Sequence, residues 1–371
     1  MAQIDAFFKL MSDQGASDLH LAAGKQPVLR VKGELERVKY KTLDNDTLRG
    51  MLYEITPEHK IKIFEETGDV DFAYEIPNLA RYRANFFKQK DGVAAVFREI
   101  PDKILTCEDL GLPPIIRQLA TLPRGLVLVT GPTGSGKSTT LAAIINEANK
   151  TRKDHIITVE DPIEFVHVSK NAVINHREIG IHTRSFSAAL RGALREDPDI
   201  ILVGEMRDLE TIGLAIEASL TGHLVFSTLH TSSAAKTIDR VIEVFPADQQ
   251  AQVRSTLADG IRAVVCQSLF RRTDQRGDTS GSAGESLGRV AALEILIATP
   301  AVRNLIRENK IFQIPSAIQT GKKYGMQSLD DAVMQLLSKK QISAEEAYAK
   351  CNDKNKFLPF LKNPPSDFTE V

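Results

Sequence analysis

The stretch GLVLVTGPTGSGKSTTLAAIINEANK, residues 125–150, decides the fold. An apolar segment leads through a glycine-rich turn into a helix-forming segment, and residues 131–138 fit the pattern GxxxxGK[ST]. Glycines let backbone N–H groups turn inward around phosphate oxygens, and the amino end of the helix adds partial positive charge. A purely structural turn is the alternative, which the Lys and Ser disfavour. The predicted nucleotide-binding residues are Gly131, Pro132, Thr133, Gly134, Ser135, Gly136, Lys137, Ser138 and Thr139.

Apolar and helical segments alternate after this turn. Strands are predicted at 126–129, 156–159, 200–203 and 224–228, with helices at 137–150, 187–195 and 210–219 between them. Because these strands show no polar alternation, both of their faces are expected to be covered. The pattern predicts an α/β class with a mainly parallel sheet.

Changes in this pattern predict the domain boundaries. Short strands around a helical segment at 43–66 indicate a small α+β domain over 1–100, and a proline-rich stretch indicates a linker over 101–123. The nucleotide-binding core is predicted over 124–298, followed by a helical C-terminal region and tail over 299–371. Residues 271–288 are expected to be a mobile loop, and the tail from Lys354 is expected to be loosely attached.

Composition excludes several classes of protein. The 371 residues carry 47 Lys plus Arg and 48 Asp plus Glu, so the net charge of −1 gives no global attraction to nucleic acid or anionic lipid. Apolar stretches are shorter than the ~20 residues of a membrane span, and no secretory signal is evident, so a cytoplasmic protein is expected. Cys107, Cys266 and Cys351 are too far apart for a CxxC pair, and no zinc site is expected.

Carboxylates follow two of the predicted strands. Strand 200–203 ends at Gly204-Glu205, with Gly204 where many P-loop proteins carry a metal-binding Asp. This leaves Glu205 free to act on an attacking water, the alternative being a solvated strand end. The strand HIITVED leads into Glu160, Asp161 and Glu164, at the edge where ligands bind in open α/β sheets. The sequence does not show which of the three touches metal or water, and a capping role for Asp161 is equally compatible.

His230 follows the strand HLVFSTL in the same way. A neutral imidazole at that position would report loss of the γ-phosphate to a neighbouring strand or subunit. A satisfied polar side chain in a loop is the alternative.

Four segments after the phosphate loop resemble motifs of the secretion and type IV pilus ATPases, in the family's order. ITVEDPIEF at 157–165 is similar to the aspartate box, DIILVGEMRD at 199–208 to the atypical Walker B, and STLHTSSAAKTIDR at 227–240 to the histidine box. TPAVRNLIRENK at 299–310 resembles a segment of the family's pilus retraction ATPases that is needed for retraction rather than hydrolysis. The likeness extends from residue 18 to about 337.

This resemblance implies a PAS-like N-terminal domain, a RecA-like ATPase domain and a cytoplasmic homohexamer at the bacterial inner membrane. It implies hydrolysis of ATP with Mg²⁺ to power pilus retraction and twitching motility, through an inner-membrane platform protein and beside a paralogous ATPase. Glu205 takes the catalytic role, with Glu160, Glu164 and His230 as further candidates, and Ser138, Asp161 and Glu205 as candidate metal ligands. Arg81, Arg83 and Arg98 are the arginines that would approach the γ-phosphate, ahead of the weaker candidates Arg195, Arg207 and Arg240.

Departures from the family pattern favour a paralogue of the retraction ATPase. His176 replaces an expected Gln, and the segment 271–288 is longer than expected. Alternative functions are a pilus assembly or type II secretion ATPase, a nucleic-acid translocase, and a noncatalytic nucleotide sensor. The missing extra N-terminal domain and four-cysteine element disfavour assembly, while the low net charge and few aromatic residues disfavour a translocase.

Overall fold

The computed structural model describes residues 2–31, 34–77, 79–100, 103–273 and 288–363. They form two compact units, the first from residues up to 103 together with 162–166, and the second from the remainder. Most of the predicted mobile loop at 271–288 therefore lies outside the described residues. No helix in the described part of the chain is long and apolar enough to cross a bilayer.

The first unit contains an antiparallel sheet with strand order β3-β2-β1-β6-β5-β4. Its core joins the buried sides of the strands and helices, where Phe8 stacks on Tyr82 at 4.3 Å between ring centroids. The helix predicted at 43–66 is two helices, because Pro57 has no N–H group to continue the first. The elements are α1 (Asp5–Asp13), β1 (Ala16–Ala22), β2 (Val28–Val31), β3 (Glu34–Arg37), α2 (Asn45–Glu54), α3 (Glu58–Thr67), β4 (Asp69–Ile76), β5 (Ala80–Gln89) and β6 (Gly92–Ile100).

The second unit is built on a seven-strand sheet in order β13-β12-β7-β11-β10-β8-β9, parallel except where β13 pairs with β12. Its strands are β7 (Gly125–Thr130), β8 (His155–Glu160), β9 (Val173–Glu178), β10 (Ile200–Val203), β11 (Leu224–Leu229), β12 (Ile261–Arg271) and β13 (Arg289–Ile297). Its first helices are α4 (Pro114–Leu119), α5 (Lys137–Thr151), α6 (Phe186–Ala193), α7 (Leu209–Leu220), α8 (Ala234–Glu243) and α9 (Gln250–Gly260). Strands β9, β12 and β13 were not in the predicted set.

Both faces of this sheet are covered, as the absence of polar alternation predicts. Leu126 and Leu128 of β7 belong to one core cluster, while Val127 and Val129 belong to another. Since successive side chains of a strand point to opposite faces, the two clusters lie on opposite sides of the sheet. The second cluster also takes in Ile116 of α4, so residues of the proline-rich stretch pack into the second unit.

The chain after β13 is helical, with α10 (Pro300–Arg307), α11 (Ile314–Thr320), α12 (Leu329–Ser338) and α13 (Ala344–Lys350). The prediction that the tail from Lys354 is loosely attached is wrong for residues 354–363. Two short 3₁₀ turns flank Phe357, whose side chain is fully buried in a cluster with Phe270 and Val333. Buried Asp330 also accepts the backbone N–H groups of Asn352 and Asp353. Residues 364–371 lie outside the described residues.

Candidate nucleotide-binding site

The glycine-rich turn lies between β7 and α5, at the carboxyl end of the sheet. Gly131, Gly134 and Gly136 have φ values of +142°, +75° and +86°, which side chains rarely tolerate. The turn delivers the chain into α5 at Lys137, and no side chain caps this helix. The amino end of such a helix is a common binding site for phosphate groups.

Lys137 lies inside this turn. Its Nζ donates to the carbonyl oxygens of Gly131 at 3.0 Å and Pro132 at 3.1 Å, and the residue is buried. Ser138 and Thr139, in the first turn of α5, are half-buried. Lys137 and Ser138 therefore both lie in the first turn of α5, directly after the glycine-rich turn.

Glu205 follows β10, next to β8 and β11 in the sheet. Its side chain is 19% exposed and both of its carboxylate oxygens are bound: Oε2 accepts from Arg207 Nη2 at 2.7 Å, and Oε1 lies 3.1 Å from His230 Nε2. Burial would raise the pKa of Glu205, but the hydrogen bond and charge of Arg207, with the charges of His230 and Lys137, hold this pKa below its ordinary value. The carboxylate thus stays ionised, as a proton acceptor must.

Polar side chains of β11 fix His230 beside Glu205. Ser227 Oγ donates to the Val203 carbonyl at 2.7 Å, and Thr228 Oγ1 donates to that of Gly204 at 2.6 Å. These bonds tie the ends of β10 and β11 together, so the two residues that follow the strands meet. A Cβ on Gly204 would stand 3.3 Å from the Val159 carbonyl oxygen, so a side chain there would be in tight contact with β8.

The three carboxylates predicted at the end of β8 differ in their surroundings. Glu160 is buried at the end of the strand, and Asp161 is exposed and close enough to Arg207 to act on its charge. Glu164 belongs to the first compact unit, where its Oε1 lies 3.9 Å from Arg83 Nη1. Although the three carboxylates come from one short segment of sequence, they differ in burial and in charged neighbours.

Arg81, Arg83 and Arg98 lie on β5 and β6 of the first unit, and Arg83 is directly opposite Arg98 in the strand register. Each has a carboxylate neighbour. Arg98 Nε donates to Asp18 Oδ1 at 2.8 Å. Arg81 Nη1 lies 3.7 Å from Glu75 Oε2, and Arg83 Nε lies 3.7 Å from Asp71 Oδ1. The positive charge of each of these arginines is therefore accompanied by a nearby carboxylate of the same unit.

The sequence pattern led to too low a rank for one residue of the site, Arg207, and gave no prediction for another, Gln267. Arg207 was ranked below the N-terminal arginines, yet it binds Glu205; its place two residues after a strand-end acid was the available signal. Gln267 lies behind the phosphate loop, and nothing in its neighbourhood in the sequence signals that position.

A mainly parallel sheet that carries this loop, with an acid on a neighbouring strand, defines a P-loop ATPase of RecA-like architecture. The chain belongs to the family of type II/IV secretion system proteins, whose model matches residues 3–348. It is similar to the type IV pilus retraction ATPase PilT of Pseudomonas aeruginosa, with 54% identity over 91% of this chain and 94% of that protein. A twitching motility protein of Neisseria gonorrhoeae is 52% identical over 86% of this chain and 83% of its own length.

A crystal structure of the pilus retraction motor PilT with bound ADP matches over 96% of this chain and 98% of its own, with 41% identity and a TM-score of 0.85. The expected α/β fold and family resemblance are thus confirmed.

Proposed function

We propose that this protein is an ATP-hydrolysing motor that powers type IV pilus retraction and hence twitching motility. The observation that carries the proposal is that Lys137 lies near enough to the Glu205 carboxylate for their charges to interact, with His230 against the same carboxylate. These residues belong to one compact unit, in a chain similar to PilT over nearly its whole length. A sensor that only binds nucleotide has no need of a held carboxylate. The site therefore supports turnover of nucleotide as well as binding.

The loop of residues 131–139 binds the phosphates, with Lys137 on the β- and γ-oxygens. Glu205 takes a proton from a water molecule as that water attacks the γ-phosphorus, and ADP is the leaving group. Arg207 and His230 keep the carboxylate oriented and ionised. Glu160, buried at the end of the neighbouring strand β8, remains a further candidate for acting on the water.

A bound Mg²⁺ would supply positive charge against the negative charge that develops in the transition state. Ser138 in the first turn of α5 and exposed Asp161 fit such an ion, since Mg²⁺ usually takes few protein ligands. Among the described residues no three His, Cys, Asp or Glu side chains are placed to hold a metal ion by themselves. Glu205 fits less well as a ligand, because a guanidinium already occupies Oε2.

We further propose a cytoplasmic homohexamer that reaches the inner membrane through a pilus platform protein and works with a paralogous ATPase. In this ring Arg81, Arg83 and Arg98 stabilise transition-state charge when a subunit closes, with Glu164 as an ionic partner of Arg83. No nucleic-acid partner is expected.

Deletion of the gene, followed by microscopy of pili, tests the proposal. Retraction predicts cells with excess pili that do not twitch, restored by the wild-type gene but not by Lys137→Ala. Cells without pili would instead indicate an assembly ATPase and contradict the proposal. Sedimentation of the purified protein with ATP provides the test of the hexamer.

A further inference from the structure

Gln267 is a buried polar residue that the proposed mechanism does not use. It lies on β12 and is 3% exposed. Strand β12 pairs with β7 in parallel, with Cys266 opposite Thr130, the last residue before the phosphate loop. The next residue of β12 therefore faces the loop itself.

The Gln267 amide binds the loop and the helix after it at once. Its Nε2 donates to the Ser135 carbonyl oxygen at 2.6 Å, and its Oε1 accepts from Thr140 Oγ1 at 2.7 Å. A Cβ on Gly131 would stand 2.2 Å from the Gln267 carbonyl oxygen, and one on Gly136 would stand 2.8 Å from its Nε2. The loop is closely packed against this one residue.

The bond to Ser135 has a directional consequence. A trans peptide holds its C=O and N–H groups in one plane and pointing in opposite directions. Fixing the Ser135 carbonyl toward β12 therefore points the Gly136 N–H away from β12. Because an amide offers a donor and an acceptor in one rigid plane, the same side chain fixes the first turn of α5 through Thr140.

We propose that Gln267 is a positioning residue that holds the Ser135–Gly136 peptide and the start of α5 in the arrangement that receives a nucleotide β-phosphate. The inference rests on the proposed function only in that this loop binds nucleotide. The role proposed for Gln267 is to hold the loop rather than to contact phosphate, because both polar atoms of its side chain bind the loop and α5. Its loss should weaken nucleotide binding more than it slows turnover at saturating ATP, since the reacting groups on β10 and β11 are unchanged.

The test compares Gln267→Leu, which removes both hydrogen bonds at similar volume, with Thr140→Val, which removes one. A fluorescent ADP analogue, N-methylanthraniloyl-ADP, reports the dissociation constant, and ATPase assays report KM and kcat. We expect Gln267→Leu to raise the dissociation constant and KM roughly tenfold or more, and Thr140→Val to raise them about threefold. The double variant should bind about as weakly as Gln267→Leu alone, because both changes break one network.

Gln327→Leu is the matched control. This side chain also donates to a backbone carbonyl, that of Leu293 at 2.9 Å, in the same unit. It should lose stability with unchanged ADP affinity. If Gln267→Leu does not fold, Thr140→Val and its dissociation constant for the ADP analogue carry the test.

A folded Gln267→Leu variant that binds the analogue within about twofold of wild type would overturn the inference. Equal weakening of ADP binding by Gln327→Leu would also overturn it, and so would a Thr140→Val variant with an unaltered dissociation constant for the analogue. Since the readout is ADP affinity, a wild-type protein that binds but does not hydrolyse would refute the proposed function and leave this test intact.

Discussion

Replacing Glu205 by Gln removes the proton acceptor while keeping nearly the same shape. The amide oxygen still accepts from Arg207, and the amide NH₂ can donate to His230 Nε2 in the tautomer that accepts, so both contacts of the carboxylate have a substitute. Binding should survive, because the change removes a negative charge near Lys137 and the phosphates. The fold should therefore be retained.

The expected loss is in the chemical step. A positioned general base contributes about 10²–10⁴ in rate, so turnover should fall at least about a hundredfold, which is about 2.7 kcal/mol of activation free energy. Phosphate release under saturating ATP measures turnover, and the fluorescent nucleotide measures binding, which should stay within about threefold of wild type.

Glu210→Gln is the control for this prediction. Glu210 lies in the first turn of α7, close in sequence to Glu205, and its exposed carboxylate pairs with Arg191. An exposed pair is worth about 0–1 kcal/mol, so activity should be close to wild type. Turnover of Glu205→Gln within about tenfold of wild type would refute the assignment of the base.

Three further predictions concern the surroundings of the site. Arg207→Ala removes the partner that most lowers the pKa of Glu205, so this pKa should rise. As the pH is lowered, the variant should therefore lose ATPase activity at a higher pH than the wild type does. Identical acid limbs in the pH–rate profiles of the variant and the wild type would contradict this. Arg307→Ala breaks an exposed ion pair with Asp259, so it should lower the free energy of unfolding by under about 1 kcal/mol. The variant should nevertheless lose twitching motility while its ATPase activity is retained. Normal motility would count against a role of Arg307 in retraction. Phe357→Ala should destabilise the second unit by about 3–5 kcal/mol in urea unfolding, whereas an unchanged midpoint would mean that residues 354–363 do not pack as described.

The sequence was most informative where one local pattern determines structure. The turn from β7 to α5 and the acids at the ends of β8 and β10 were predicted because strand, glycine spacing and helix are contiguous. These are also the residues that bind ligands in such sheets.

Contacts between distant segments were not predictable in the same way. Gln267 reaches Ser135, 132 residues away in the sequence, only because β12 pairs with β7, and a pairing between such distant segments leaves no mark near either residue. Phe357 lies in a charged stretch that resembles a solvated tail, yet the cluster around Phe270 buries it. Pro57 was a visible local signal for the break between α2 and α3, and the apolar periodicity on both sides obscured it.

The central claim is that a triphosphate held by the Lys137 loop is cleaved by water activated at Glu205. A structure with Mg²⁺ and a non-hydrolysable ATP analogue tests it most directly. The account predicts the γ-phosphate in contact with Lys137 Nζ, and one water molecule between the γ-phosphorus and the Glu205 carboxylate. A γ-phosphate remote from Glu205 in every subunit would contradict it.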